Sequence, residues 1–112
     1  MARRIYIVGG SGSSLEAILA VSTSETLASI TQPTVVEATG GGGGITLTLP
    51  PAASNQGRRF SIKKVDAAAG VVTVDANGAE LIDADLTYVL SNEDQYVVIV
   101  SNGTNWSIVA NN

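Results

Sequence analysis

At 112 residues, with a formal net charge of −4 and neither cysteine nor histidine, the chain has room for one modest core. It has no means to build a disulfide, a Cys/His zinc site, a thiol nucleophile or a histidine triad. Ten acidic side chains against six basic ones argue against nucleic acid, which requires a basic face.

Apolar runs fall well short of the roughly 20 residues that cross a bilayer as a helix, so no membrane partner is expected. Hydrophobic residues make up 45% of the chain and charged ones 14%. A small domain so poor in charge has more apolar surface than it can bury alone, which points to association into oligomers.

The first element predicted is a short strand over 4–8, Arg-Ile-Tyr-Ile-Val, stopped by the turn residues Gly9, Gly10 and Gly12. Between Leu15 and Val21, Leu15, Ile18 and Leu19 fall at helical spacing, while the neighbouring Ser22, Thr23 and Ser24 and the short length allow a strand equally. Short extended pieces follow at 27–30 and 34–39, before five consecutive glycines, Gly40 to Gly44. Such a run has no structure of its own and reads as a flexible link, although glycines also let a backbone approach a neighbour closely. It divides the chain into an attachment region or arm over 1–39, a linker over 40–44 and a β-domain over 45–112.

In that β-domain Ile45-Thr-Leu-Thr-Leu49 alternates with period two and is stopped by Pro50 and Pro51. In the next strand, 59–65, Phe60 and Ile62 share one face, with Arg59, Ser61 and Lys63 on the other. Further strands are predicted at 71–74, 80–83, 86–90, 96–100 and 106–109. Asn77-Gly78 and Asn102-Gly103 supply turn residues for two hairpins. The expected fold is all-β, a compact antiparallel β-sandwich or barrel of jelly-roll type, preceded by an extended N-terminal arm.

Motifs that carry chemistry are incomplete. The segment 5–15 resembles a strand entering a phosphate-binding loop, but Leu15 stands where a third glycine belongs and no phosphate-loop lysine follows. Asp83 and Asp85 would share one face of an extended segment, as a hydrolytic carboxylate pair would, yet they read better as a solvated turn. Asp75, Asn77 and Glu80 surround a glycine without the spacing of a calcium loop. No catalytic residue, metal site or cofactor is assigned.

Every cation lies in one of three dibasic pairs, Arg3-Arg4, Arg58-Arg59 and Lys63-Lys64, and 65–112 carries none. Arg3, Arg4, Ile5, Tyr6, Arg58 and Arg59 are the candidate contact residues for an acidic protein partner, because arginine pairs bidentately with carboxylates; ordinary solubility and edge protection by lysine account for the dibasic pairs equally well. Trp106, Tyr88, Tyr96 and Tyr6 are the aromatics able to stack on sugars, although such residues more often anchor cores or interfaces, and for Trp106 a locally satisfied indole N–H is expected.

The run Leu47-Thr-Leu-Pro-Pro, the small-residue loop through Gly57, the strand Ile62-Lys-Lys64, the turn Ile82-Asp83 and the end Ser101-Asn-Gly-Thr-Asn-Trp106 together resemble a β-rich module of tailed-phage virion proteins. Asn102 stands where the module often has Asp, and the resemblance covers a little over half the chain. It implies a homotrimer of the kind found in capsid decoration (cement) proteins, head fibres and tail fibres.

Residues 1–39 have no counterpart in that module, and the chain carries no shaft or collagen-like repeat. The expected role is therefore a non-enzymatic cement protein on the outer capsid surface of the virion, bound to the major capsid protein. The alternative is a head-fibre or tail-fibre module that binds a host receptor or host-surface glycan.

Overall fold

A computed structural model describes residues 4–7, 17–28 and 34–112. These residues form ten strands and no helix: β1 (Arg4–Ile7), β2 (Ala17–Val21), β3 (Glu25–Thr26), β4 (Thr34–Ala38), β5 (Ile45–Thr48), β6 (Arg59–Lys64), β7 (Val72–Asp75), β8 (Thr87–Leu90), β9 (Tyr96–Ser101) and β10 (Trp106–Asn111). The segment left open between helix and strand is β2. Its buried positions are Ala17, Leu19 and Val21, so period two governs it and the helical spacing of Ile18 and Leu19 does not.

The strands lie in two sheets, one of order β1-β2-β4-β6-β9-β10 and one of order β3-β5-β7-β8. From β2 to β7 the chain changes sheet at every step, so that β2, β4 and β6 are mutually parallel in the first and β3, β5 and β7 in the second. Parallel neighbours need a long return connection. Here the return is a strand of the opposite sheet rather than a helix. Antiparallel strands flank this winding: β1 on β2, β9 on β6, β10 on β9, and β8 on β7.

The expected purely antiparallel arrangement is thus replaced by two mixed sheets. Neither closes on itself among the described residues. The Asn-Gly turns that suggested a meander fix only local geometry, whereas each parallel pairing is made between strands two elements apart.

One core serves both sheets. Leu19, Val36, Ile62 and Val97 occupy one register row across β2, β4, β6 and β9, and all are buried. The inner row of the second sheet, Ile45, Val72 and Leu90, belongs to the same apolar cluster. Each large aliphatic side chain buried in this way contributes about 1.5–3 kcal/mol as an upper figure.

The division at the glycine run is not what the fold shows. Strands β2 and β4, from the region expected to be an arm, are interior strands of the six-stranded sheet. The glycines form a fixed turn rather than a link. Gly44 N–H donates to Gly40 O at 2.9 Å, Gly70 N–H donates to Gly41 O at 2.7 Å, and Gly41 and Gly44 have φ of 64° and 83°. A Cβ on Gly40 would lie 2.1 Å from the Gly70 carbonyl oxygen, so two backbones touch where only glycine fits.

Of the two predicted hairpins, Asn102-Gly103 is one: the Asn102 side chain accepts from Thr104 and Asn105 N–H, and Gly103 has φ 92°. The strand expected at 80–83 is instead a loop that makes single bridges at Ile82 to Asp85 and Trp106.

Candidate docking face

Strand β6 sets the geometry of the outer face of the six-stranded sheet. Phe60, Ile62 and Lys64 are buried while Arg59 and Lys63 are exposed, the alternation expected of a strand with one face on a core. Pairing extends these positions sideways. Lys63 lies in register with Glu37, which pairs with Ala20, which in turn pairs with Arg4. The neighbouring row runs from Tyr6 through Ile18, Val35 and Ser61 to Val98.

Directly paired residues share a face, so the register positions of Arg4 and Tyr6 fall on the same side of the sheet as Arg59 and Lys63. Ile5 pairs with Leu19, a core residue, and so falls on the opposite row. Arg3 lies outside the described residues, as does 8–16 of the glycine-rich loop that resembled a phosphate site.

The centre of this face is apolar, with Ile18, Val35 and Val98 half-buried, and no described strand lies over it. Its charge is modest. Lys63 Nζ lies 3.4 Å from Asp94 Oδ1 with both side chains well exposed, an ion pair of little energetic weight in water. Arg59 pairs in register with Val100 and is free to extend outward.

Arg58 behaves differently from its neighbour. Its Nη2 donates to Thr34 Oγ1 at 2.6 Å and its Nη1 to the Arg59 carbonyl at 2.7 Å. The guanidinium carbon sits 4.2 Å from the Phe60 ring centroid. Burial pushes its pKa down to about 10, because a desolvated cation is less favourable. The side chain therefore holds the loop before β6 against the start of β4, and the expectation that it contacts a partner is corrected.

The signal was present in the sequence, since positions 58, 60, 62 and 64 share the parity of Phe60. The same parity places Lys64 inside, where its Nζ donates to Asp66 Oδ1 at 2.9 Å, Asp66 O at 2.7 Å and Ala68 O at 2.9 Å. No protein-family model, curated protein or solved structure matches this chain. Its functional reading therefore rests on the residues themselves.

Asp83, Glu80 and Tyr88 have structural partners. Asp83 is exposed at φ 54° and its Oδ1 accepts from Ile108 N–H at 3.0 Å. Both carboxylate oxygens of Glu80 lie within hydrogen-bond reach of Ala52 N–H. Trp106 is buried against Phe60, with ring centroids 5.7 Å apart. Its indole N–H has no hydrogen-bond partner among the described residues, contrary to the local partner expected. Tyr88 packs against the same core, and its hydroxyl accepts from Asn111 Nδ2 at 2.8 Å.

Proposed function

We propose that this chain is a structural protein of a tailed-phage virion, a trimeric capsid decoration protein that binds the major capsid protein on the outer surface of the head. The observation that carries the docking part of this reading is the common face of Arg4, Tyr6, Arg59 and Lys63 in the pairing register. A half-buried apolar stripe bordered by Arg59 and Lys63, with Glu37 exposed beside Lys63, suits a protein surface that carries carboxylates, with arginine supplying directional contacts to them. The phage-module resemblance of 47–106 supplies the virion context and the trimer.

In this reading the two sheets stack as a β-sandwich whose rigid core presents the face without reorganisation. Binding only the assembled shell stabilises it by mass action, and no bond is made or broken. Cofactors, nucleic acid and membrane have no part in it.

The second reading, a fibre module binding a host-surface glycan, draws on an open recess of about 200 Å³ lined by Asn92, Glu93, Gln95 and Asn112. The two readings separate in one experiment. Purified protein is sedimented with and without capsids stripped of their decoration. A trimer that saturates capsid sites and raises their heat resistance supports the cement role. A trimer that ignores capsids refutes it, and binding to a glycan array then favours the fibre module.

A further inference from the structure

The four-stranded sheet ends in β8, and that edge differs from those at β10 and β3. Ala76 N–H donates to Leu86 O at 3.0 Å, and Val74 and Val72 pair with Tyr88 and Leu90. In an antiparallel ladder the residues between such pairs turn their backbone groups away. The N–H and C=O groups of Thr87 and Val89 therefore point outward, with no described strand beside them.

Sheet edges in folded proteins are blunted by lysine, proline, a bulge or a covering segment. The end at β10 has two of these devices. Leu81 and Asp83 bond the backbone of Trp106, and a bulge interrupts the strand between Ile108 and Ala110. At the other end of the smaller sheet, β3 is only two residues long. By contrast β8, Thr-Tyr-Val-Leu, has no charged residue, no proline and no bulge. It carries an exposed apolar side chain, Val89 at 43%, and is preceded by another, Leu86 at 54%.

Charge decides what can occupy the edge. Asp83 and Asp85 precede β8, Glu93 follows it, and Asp75 pairs with Thr87; the sequence from 65 to 112 contains no lysine or arginine. A second copy adding antiparallel through its own β8 would set Asp85 of one chain toward Glu93 of the other, a like-charge contact that disfavours self-pairing.

We propose that the β8 edge is a docking site for an extended, apolar segment with basic flanks, contributed by a partner protein and added as a fifth strand of the smaller sheet. Main-chain hydrogen bonds to Thr87 and Val89 would hold it, and the acidic surround would select its sign. This site is separate from the face of β6 and does not depend on capsid binding.

The test titrates the full chain into a fluorescently labelled synthetic peptide, Arg-Val-Thr-Val-Thr-Val-Arg, with Glu replacing both Arg in a matched control. Fluorescence anisotropy is expected to show saturable binding of the basic peptide, weakening with salt, and affinity lower by about tenfold for the acidic one. Val89→Pro deletes only an outward N–H, as proline is tolerated at such edges, and Val89→Lys adds an edge-blocking charge. Both are expected to abolish binding, with circular dichroism melts confirming that the variants fold.

Absence of binding by the parent chain, or equal binding by folded Val89→Pro and Val89→Lys, overturns the proposal. So does a parent chain that self-associates in sedimentation and becomes smaller on Val89→Lys, since the edge then pairs with a second copy.

Discussion

Lys64 and Asp66 are joined twice, because the buried lysine ammonium donates to both the carboxylate and the backbone carbonyl of the aspartate, at 2.9 and 2.7 Å. The same carboxylate accepts from Gly40 and Gly41 N–H at 3.0 and 2.9 Å. Two residues at the end of β6 thus fasten the glycine turn that leads into β5.

A pH dependence follows. The Lys64 hydrogen bond, then that of Gly40 N–H, hold the Asp66 carboxyl down to about 2 from its ordinary 3.8; burial works against them, and Gly41 N–H and the Lys64 charge add to the lowering. A carboxyl depressed in the native state stabilises above its unfolded pKa, and that contribution fades as pH falls through its folded pKa. Urea midpoints should therefore include an Asp66 contribution that is complete above about pH 5 and is lost as pH falls through 3.8 toward about 2. Asp66→Asn should remove that segment of the pH profile. Lys64→Met, which removes the buried ammonium from its three part-buried acceptors, should cost about 2 kcal/mol at pH 7.

Gly70 and the glycines of the run 40–44 should be unequal in a stability scan. Gly70→Ala and Gly40→Ala drive a Cβ into backbone atoms at 2.3 and 2.1 Å and should cost about 2 kcal/mol or more. Gly42→Ala and Gly43→Ala meet nothing within 4 Å and should lie within about 0.5 kcal/mol of the parent. Equal effects at all four positions in thermal melts would show that the run is a flexible link after all.

Adjacent arginines should separate stability from binding. Arg58→Met loses the bonds to Thr34 and Arg59 and should cost about 2 kcal/mol. Arg59→Ala, on the exposed side of β6, should melt within about 0.5 kcal/mol of the parent while weakening capsid co-sedimentation. If Arg58→Met alone weakened capsid binding at unchanged stability, the assignment of the two side chains would be reversed.

Trp106 is the one tryptophan in the chain and is 1% exposed, so its emission should be blue-shifted in the native state and move red on unfolding. Trp106→Ala should cost about 3–5 kcal/mol. Trp106→Phe also removes an indole N–H that has no partner among the described residues, so part of its loss of packing is offset, and it should unfold at a denaturant midpoint much closer to the parent.

How much of this was legible in the sequence depends on the range of the interaction. Period-two alternation in 45–49 and 59–65 assigned Phe60 and Ile62 inward and Arg59 and Lys63 outward, as the burial of β6 shows. It is a local signal and needs no knowledge of the partner strand. The parallel pairings were invisible, since Val36 meets Ile62 in register only after the chain has crossed to the other sheet and back. The glycine run was misjudged for the same reason. What makes it rigid is Gly70, Asp66 and Lys64, remote in the sequence and carrying no motif. For the docking face, the arginines were visible but their directions were not used: the parity of Phe60 already separates Arg58 from Arg59.

The crossing of the chain between sheets also determines when a growing polypeptide can close its core. Strand β6 is flanked by β4 on one side and β9 on the other, and β9 begins only at Tyr96. A nascent chain arrested before Tyr96 exposes β6 as an open edge, with Phe60 and Ile62 in an incomplete core. Non-local pairing of this kind is slow to form and leaves strand edges open to aggregation meanwhile. Protease protection of β2, β4 and β6 should accordingly appear only in ribosome-bound chains extended by a C-terminal linker long enough to release β9, making synthesis of the C-terminal strands the event that commits the N-terminal ones.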